Sequence, residues 1–284
     1  MNPKHPFRLL SLTLIAGLSL LTPAQEPKVA DDVRDAFLVT RRKVDPAKGS
    51  QPANPPRTRG RRPAGNTSEA AATARGLIGL GYTLYKQDSD GKPVRVALSQ
   101  EFHKGDAVRL VIESNIDGYL YLFHTENDGQ PEMIFPDARL NGGDNYIRAH
   151  VPNEAPSSQE ADPRFRWFIF DDKAATERLY LVIARKPLVG VPTEQELVAY
   201  CRASSVPCPW RPTETAWKQL VAIADVSARV NQSRDSGQAQ TAVEREAVER
   251  GLGLPPGAPA PSVIKMNASS QAGKLVTMVD LTHK

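Results

Sequence analysis

Apolar and polar positions alternate with a period of two through much of the chain after residue 76, which predicts strands. Val108, Leu110 and Ile112 share one face, and Arg109 and Glu113 share the other. Tyr119 to Phe123 is apolar at every position and rich in aromatics, the pattern of a central strand covered on both sides. Met133-Ile134-Phe135 follows and is closed by Pro136, which has no N–H to give a ladder. Between these runs lie Asn115-Ile116-Asp117-Gly118, where glycine is expected to supply a positive φ, and Asn127-Asp128-Gly129. Two successive hairpins are predicted.

Further strands are predicted at Ile78 to Tyr85, Val94 to Leu98, Leu179 to Arg185 and Leu275 to Leu281, and Trp167 to Phe170 reads as a second central strand. After Pro187 the period becomes helical. Thr193 with Glu196 forms a capping box for a helix through Leu197, Val198 and Tyr200. Thr213 to Val230 places Trp217, Leu220, Val221 and Ala224 at helical spacing, and Thr241 with Glu244 caps a helix that Gly251 stops. Near the N-terminus, Val29, Val33, Phe37 and Leu38 fit a short amphipathic helix ending in Arg41-Arg42-Lys43, where cations complement the helix dipole. A helix that short frays in water unless it docks on the domain or on a partner. The fold class expected is mainly β: an antiparallel, Ig-like β-sandwich with a small helical insertion at about residues 193–251 and a disordered N-terminal tail.

The phrases Phe102 to Leu110, Asp117-Gly118-Tyr119-Leu120-Tyr121-Leu122-Phe123 and Phe135-Pro136, followed by Arg166 to Phe170 and Leu179 to Arg185, resemble a bacterial envelope-associated family. It is called domain of unknown function 4384. The resemblance covers about residues 102–187, less than a third of the chain, and is carried by hairpin and core residues. It implies an all-β module and speaks for fold more than function, because the family has no agreed active site. Its members are often attached to kinase, caspase-like or repeat domains, and no such domain is legible in this sequence.

Lys4 and Arg8 precede an apolar run from Leu9 to Leu21, and Thr22-Pro23-Ala24 supplies small residues before Gln25. That is the layout of a secretory signal peptide over residues 1–24. The run is too short for a membrane span, which needs about 20 residues, so an uncleaved anchor is the lesser alternative. No cysteine follows it to carry a lipid. A soluble periplasmic or secreted protein is expected.

Charge divides the mature chain. Residues 25–75 hold eleven Lys and Arg against six Asp and Glu, a balance of +5, whereas residues 76–284 hold 23 against 26, a balance of −3. Val44 to Ala74 is rich in Pro, Ala, Gly, Asn and Arg and too poor in large apolar groups to offset ordering entropy. Residues 25–75 therefore read as a basic flexible linker with a short helix, and 76–284 as the β-sandwich domain. Arg57, Arg59, Arg61 and Arg62 are candidates for contact with an anionic lipid or wall polymer, against the plainer reading of a solvated linker. The export signal argues against nucleic acid as a partner.

Candidate chemistry is sparse. Cys201 and Cys208 flank a loop long enough to let them pair in an oxidising compartment, and a structural disulfide is expected. His124, Glu126 and Asp128 share a face if their strand continues, but converge on a metal only if the turn folds back. Asp88, Asp90 and Gly91 resemble the start of a calcium loop that lacks its glutamate, Ser99 standing in that place, and a plain turn is expected. Gly76, Gly79 and Gly81 do not make the dinucleotide spacing. Ser262-Val263-Ile264-Lys265 matches the Ser-x-x-Lys of acylating enzymes without its companion motifs. Tyr82, Tyr85, Tyr146 and Trp210 are candidate exposed contact points.

No catalytic, cofactor or metal residue is therefore assigned. The function expected is a non-catalytic binding or scaffolding module of the cell envelope, its partner an envelope protein or polymer. The alternative is an envelope hydrolase. Converging histidines and carboxylates in a cleft would favour the enzyme, and an aromatic or apolar patch on a filled sandwich the binder.

Overall fold

The computed structural model describes residues 29–41, 76–203, 208–225, 228–267 and 273–284. The signal segment 1–24 and the arginines at 57, 59, 61 and 62 lie outside the described residues.

Two sheets face one another. The first takes β1 (Gly79–Gln87), β2 (Pro93–Arg95), β4 (Ala107–Ser114), β8 (Asn153–Ala155), β9 (Phe168–Ile169), β11 (Ala228–Gln232) and β12 (Val263–Asn267). Its order is β11-β12-β1-β4-β8, with β2 on β1 and β9 on β4. The second takes β3 (Glu101–Phe102), β5 (Gly118–Glu126), β6 (Glu132–Phe135), β7 (Tyr146–Ile147), β10 (Ala175–Ala184) and β13 (Lys274–His283), in the order β3-β13-β10-β5-β6 with β7 on β5. Pairing is antiparallel except for the short parallel contact of β13 with β3.

Alternation along the strands sets the core. Leu80, Tyr82 and Leu84 from β1 and Leu110 and Ile112 from β4 meet Leu120 and Leu122 from β5 and Leu181 and Ile183 from β10 between the sheets. Each fully buried aliphatic side chain there contributes about 1.5–3 kcal/mol. The other face of β5 and β10 presents Tyr121, Phe123, Tyr180 and Val182, which α2 (Glu194–Ala203) and α3 (Glu214–Val221) cover through Leu197, Trp217 and Leu220. The two-faced apolar pattern of Tyr119 to Phe123 thus marks a strand with a layer on each side.

Several local expectations are corrected. β4 and β5 do not form a hairpin: β4 pairs with β1 in one sheet and β5 with β10 in the other, so Asn115 to Asp117 carries the chain across the sandwich. Gly118 is required by proximity rather than by a positive φ, since a Cβ there would stand 2.6 Å from the Ala184 carbonyl oxygen. The β5–β6 turn takes its positive φ at Asn127 and Asp128. Trp167 to Phe170 supplies only the short edge strand β9, with Ile169 exposed. Ser262 to Lys265 enters β12, a strand not anticipated, and the span 193–251 read as helical contains β11, which pairs with β12. The strand at the C-terminal end, β13, sits inside its sheet between β3 and β10.

The helix at the N-terminal end, α1 (Val29–Leu38), is docked on the outer face of the first sheet, where Val33 and Phe37 pack on Ile264 and Met266. The folded unit therefore reaches N-terminal to residue 76. On the same face α4 (Ala242–Arg250) carries the predicted capping box, with Thr241 Oγ1 accepting from Glu244 N and Glu244 Oε2 accepting from Thr241 N, and ends at Gly251 in the left-handed conformation. Thr213 caps α3 by accepting from Ala216 N.

Candidate functional site

Beside the apolar contact of α1, the outer face of the first sheet is polar yet buried, because elements N- and C-terminal to the strands close over it. Arg41, just past α1, donates to Glu113 Oε1 and Oε2 at 2.8 and 2.6 Å and to the carbonyls of Ala258 and Pro259. His150 Nδ1 lies 2.7 Å from Glu113 Oε1, and its Nε2 lies 2.7 Å from Thr40 Oγ1. Glu113, which alternation places with Arg109 on the face opposite the apolar residues, is 2 % exposed. Beside it Glu244 accepts from Arg95 at 2.6 Å and from Tyr85 Oη at 3.0 Å. Burial pushes the Tyr85 phenol up, with the Glu244 carboxylate adding to the shift. Burial also raises the Glu244 carboxyl, but the Thr241 hydrogen bonds and the Arg95 charge outweigh it and hold the pKa below the ordinary value. Tyr82 and Tyr85 are thus core residues and not contact points. Each of the charged groups named in this layer has a partner among the described residues, as a buried polar network requires.

Lys265 is likewise engaged: its Nζ donates to both oxygens of Asp225 at 2.8 and 2.9 Å, and Thr277 joins the same carboxylate. That pair explains the lysine of the Ser-x-x-Lys run without catalysis. At Asp88 to Lys92 the carboxylate accepts from Asp90 N and Lys92 N, a closed turn. Cys201 and Cys208 are joined in a disulfide, their Cα atoms 5.3 Å apart.

Two hollows remain. The first is a groove of about 400 Å³ running from β6 and β8 to the disulfide loop, with Phe135, Phe165, Trp167 and Trp210 in its lining. The Arg109 guanidinium stacks on Trp167 with its carbon 4.0 Å from the ring centroid and donates to the Arg166 carbonyl. Arg139 lies over Phe165 at 4.6 Å. Three of the carboxylates in the groove are paired, Glu132 with Arg211, Asp137 with Arg139 and Glu154 with Arg109, while Glu160 lines it as well. Trp210 is the one predicted contact residue that reaches the groove; Tyr146 is exposed elsewhere and packs edge-on against Tyr119.

The second hollow, about 290 Å³, opens at one end of the sandwich, where inward positions of β5 and β10 become polar. His124 Nε2 stands 2.5 Å from Glu177 Oε2, and Glu126 and Asp171 share the rim. Behind them the buried His283 lies on Phe170, 4.9 Å between ring centroids. Of the metal candidates His124, Glu126 and Asp128, the first two line this cavity, whereas Asp128 pairs with Arg178. Among the described residues no group of three His, Cys, Asp or Glu is set to hold a metal ion. Glu177 and His283 had a legible signal that was passed over: each is a polar residue on the inward face of an alternating strand.

The family described as "Domain of unknown function (DUF4384)" matches the chain over residues 101–187. That span runs from β3 to just past β10 and contains the aromatic lining at Phe135, Phe165 and Trp167, but not Trp210, the disulfide or His283. No curated protein matches the chain. No solved structure matches it either.

Proposed function

We propose that the chain is an exported, non-catalytic module of the bacterial cell envelope that holds a segment of an envelope protein or polymer in the aromatic groove. The observation that carries this reading is the groove's lining: several ring faces beside arginine–carboxylate pairs that already satisfy one another. Ring faces take the apolar side of an extended peptide or sugar chain, while the paired polar groups offer hydrogen bonds at its edges. No histidine lines the groove among the described residues, and its two cysteines are joined. Export rests on the sequence of residues 1–24 and fits the disulfide. In the described residues no helix is long and apolar enough to cross a membrane. The arginines at 57, 59, 61 and 62 add a salt-sensitive contact with anionic lipid or wall polymer.

The hydrolase alternative is supported by the His124–Glu177 pair, a combination suited to moving a proton. Around it the cavity lining offers no serine, threonine, cysteine or lysine as nucleophile.

A photo-crosslinking residue at Phe165, compared with one at the exposed Tyr146 outside the groove, tests the binding reading in whole cells. An adduct formed at position 165, absent at 146 and lost on Trp210→Ala is expected. Equal labelling at both positions, or an adduct indifferent to Trp210, would contradict it. N-terminal sequencing of the envelope form should begin near Gln25; a chain starting at Met1 would refute export.

A further inference from the structure

We infer that the end of the sandwich where β10 stops and β13 begins docks on a lipid bilayer rich in anionic headgroups, the turn at Val189 entering the apolar layer while three cations beside it meet the headgroups. This face shares no lining residue with the aromatic groove, so either assignment can fail without the other.

The first ground is an apolar side chain that the fold holds out into solvent. Leu188 to Val191 form a turn closed by Val191 N, which donates to the Leu188 carbonyl at 3.3 Å, and Gly190 in its third place takes the positive φ, 75°, that a type II turn asks of glycine. Both ends of the turn are fixed. Leu188 N donates to Tyr121 Oη at 3.0 Å, and the side chains of Leu188 and Val191 pack on the cluster of Tyr121, Leu197 and Leu220. Val189, at the apex, is left 100 % exposed. A lone apolar side chain at a surface is ordinary, so the argument turns on what surrounds this one.

The second ground is the charge beside it. One flank of the turn borders an open depression of about 510 Å³ whose polar side chains are Arg185, Lys186, Gln219 and Lys274, with no carboxylate in the lining. The pairing of Ala184 with Lys274 at the end of the β10–β13 ladder brings the three cations together. Lys186 and Lys274 have no ion-pair partner among the described residues, and Arg185 donates to a neutral group, the Gly76 carbonyl, at 2.9 Å. The carboxylates of Glu194 and Glu196 stand on the other flank of the turn, beside a separate depression. Gly76 is also where residues 42–75 rejoin the described chain, and that stretch holds eight Lys and Arg against two Asp and Glu. The basic segment and the folded cations thus meet at one end of the domain. A convex apolar tip beside unanswered cations matches an anionic bilayer: the tip leaves water for the acyl region, and each cation near the surface strengthens binding about fivefold through the negative headgroup potential. A polyanion in water would answer the cations and leave Val189 wet, and a neutral bilayer would do the reverse.

The test places an environment-sensitive dye on Val189→Cys in the exported form of the chain, whose two native cysteines are joined to one another. Ile169→Cys, 63 % exposed at the Glu177 end of β10, carries the same dye as the control. Vesicles of equal parts phosphatidylglycerol and phosphatidylcholine should shift the emission to the blue at position 189 and leave it in place at 169, while pure phosphatidylcholine should move neither. In sedimentation with the mixed vesicles Val189→Asp should bind about tenfold more weakly than wild type, and Lys186→Gln with Lys274→Gln about twentyfold more weakly. The three replaced side chains are exposed, so these variants keep the fold. No binding to the mixed vesicles, a blue shift at both positions, or equal binding to neutral vesicles would each overturn the assignment. So would soluble polyglutamate shifting the dye at 189 as far as vesicles do, since the site would then be one for a polyanion. Face variants that bind as wild type does, beside binding lost when Arg57, Arg59, Arg61 and Arg62 are changed to Gln, would overturn it as well and give the contact to the basic segment alone.

Discussion

Replacing Arg41 by alanine should destabilise the protein by about 3–5 kcal/mol, the range found when one member of a buried ion pair is removed. The size follows from the partners left behind. Neither member sees much solvent, with side-chain exposures of 0 % for Arg41 and 3 % for Glu113. The guanidinium makes two charged hydrogen bonds to Glu113, at 2.8 and 2.6 Å, each worth about 1.5–3 kcal/mol net. It also serves the carbonyls of Ala258 and Pro259 at 2.8 and 3.1 Å. Without it the carboxylate keeps only His150, at 2.7 Å. Adding Glu113→Gln to Arg41→Ala removes the stranded charge and should recover about 1–3 kcal/mol, although Glu113→Gln alone should be harmful. Urea unfolding measures both effects as shifts in midpoint at unchanged slope. Hydrogen exchange at the Val39 and Arg41 amides, bonded to the carbonyls of Asp35 and Leu38, should accelerate first as α1 comes away from the sheet. A loss under about 1 kcal/mol, or a double variant no more stable than Arg41→Ala, would refute the buried pair as the element that fastens α1.

Leu122→Asp places an unpaired charge at a position with 0 % exposure and should unfold the domain, whereas Ile169→Asn, 63 % exposed on the edge strand, should stay within about 0.5 kcal/mol of wild type; circular dichroism on both checks the strand assignment. Gly118→Ala should cost about 1–3 kcal/mol by thermal or urea unfolding, because its Cβ would sit 2.6 Å from the Ala184 carbonyl oxygen. Glu244 has a folded pKa below its ordinary 4.5, so its contribution to stability is present above that value and lost as pH falls through the folded pKa. Stability measured against pH should accordingly fall on the acid side with a shallower slope in Glu244→Gln than in wild type.

Legibility in the sequence followed how local the determining interactions are. Tyr119 to Phe123 announces a strand covered on both faces because each face's partner selects for apolar groups at every position, and the Thr241–Glu244 box announces a helix start because its bonds span three residues. β11 and β12 escaped detection for the opposite reason. β11 is Ala-Arg-Val-Asn-Gln, half exposed at an edge, and β12 contains Lys265, whose charge is answered by Asp225 from the loop after α3. Alternation puts Glu113 and Arg109 on one face and does not tell what covers that face. Their partners, Arg41 and Glu154, lie 72 and 45 residues away along the chain. The groove is hidden likewise: Trp210 is legible as a candidate aromatic contact and Trp167 as part of a strand, Phe165 carries no signal of its own, and only the packing of β6, β8 and α2 brings them together. His124 was singled out for its neighbours Glu126 and Asp128, while its partner Glu177 came from the adjacent strand.

The most direct measurement of the binding account compares three full-length proteins for retention by a purified envelope fraction and for rescue of a deletion phenotype: wild type, Phe165→Ala with Trp210→Ala, and His124→Ala. The account predicts that the groove variant, still folded, loses at least tenfold in retention and fails to rescue, while His124→Ala keeps both. A folded His124→Ala protein that is retained normally yet cannot rescue, beside a groove variant that rescues fully, would contradict the account and make the His124–Glu177 pair the seat of an enzymatic activity.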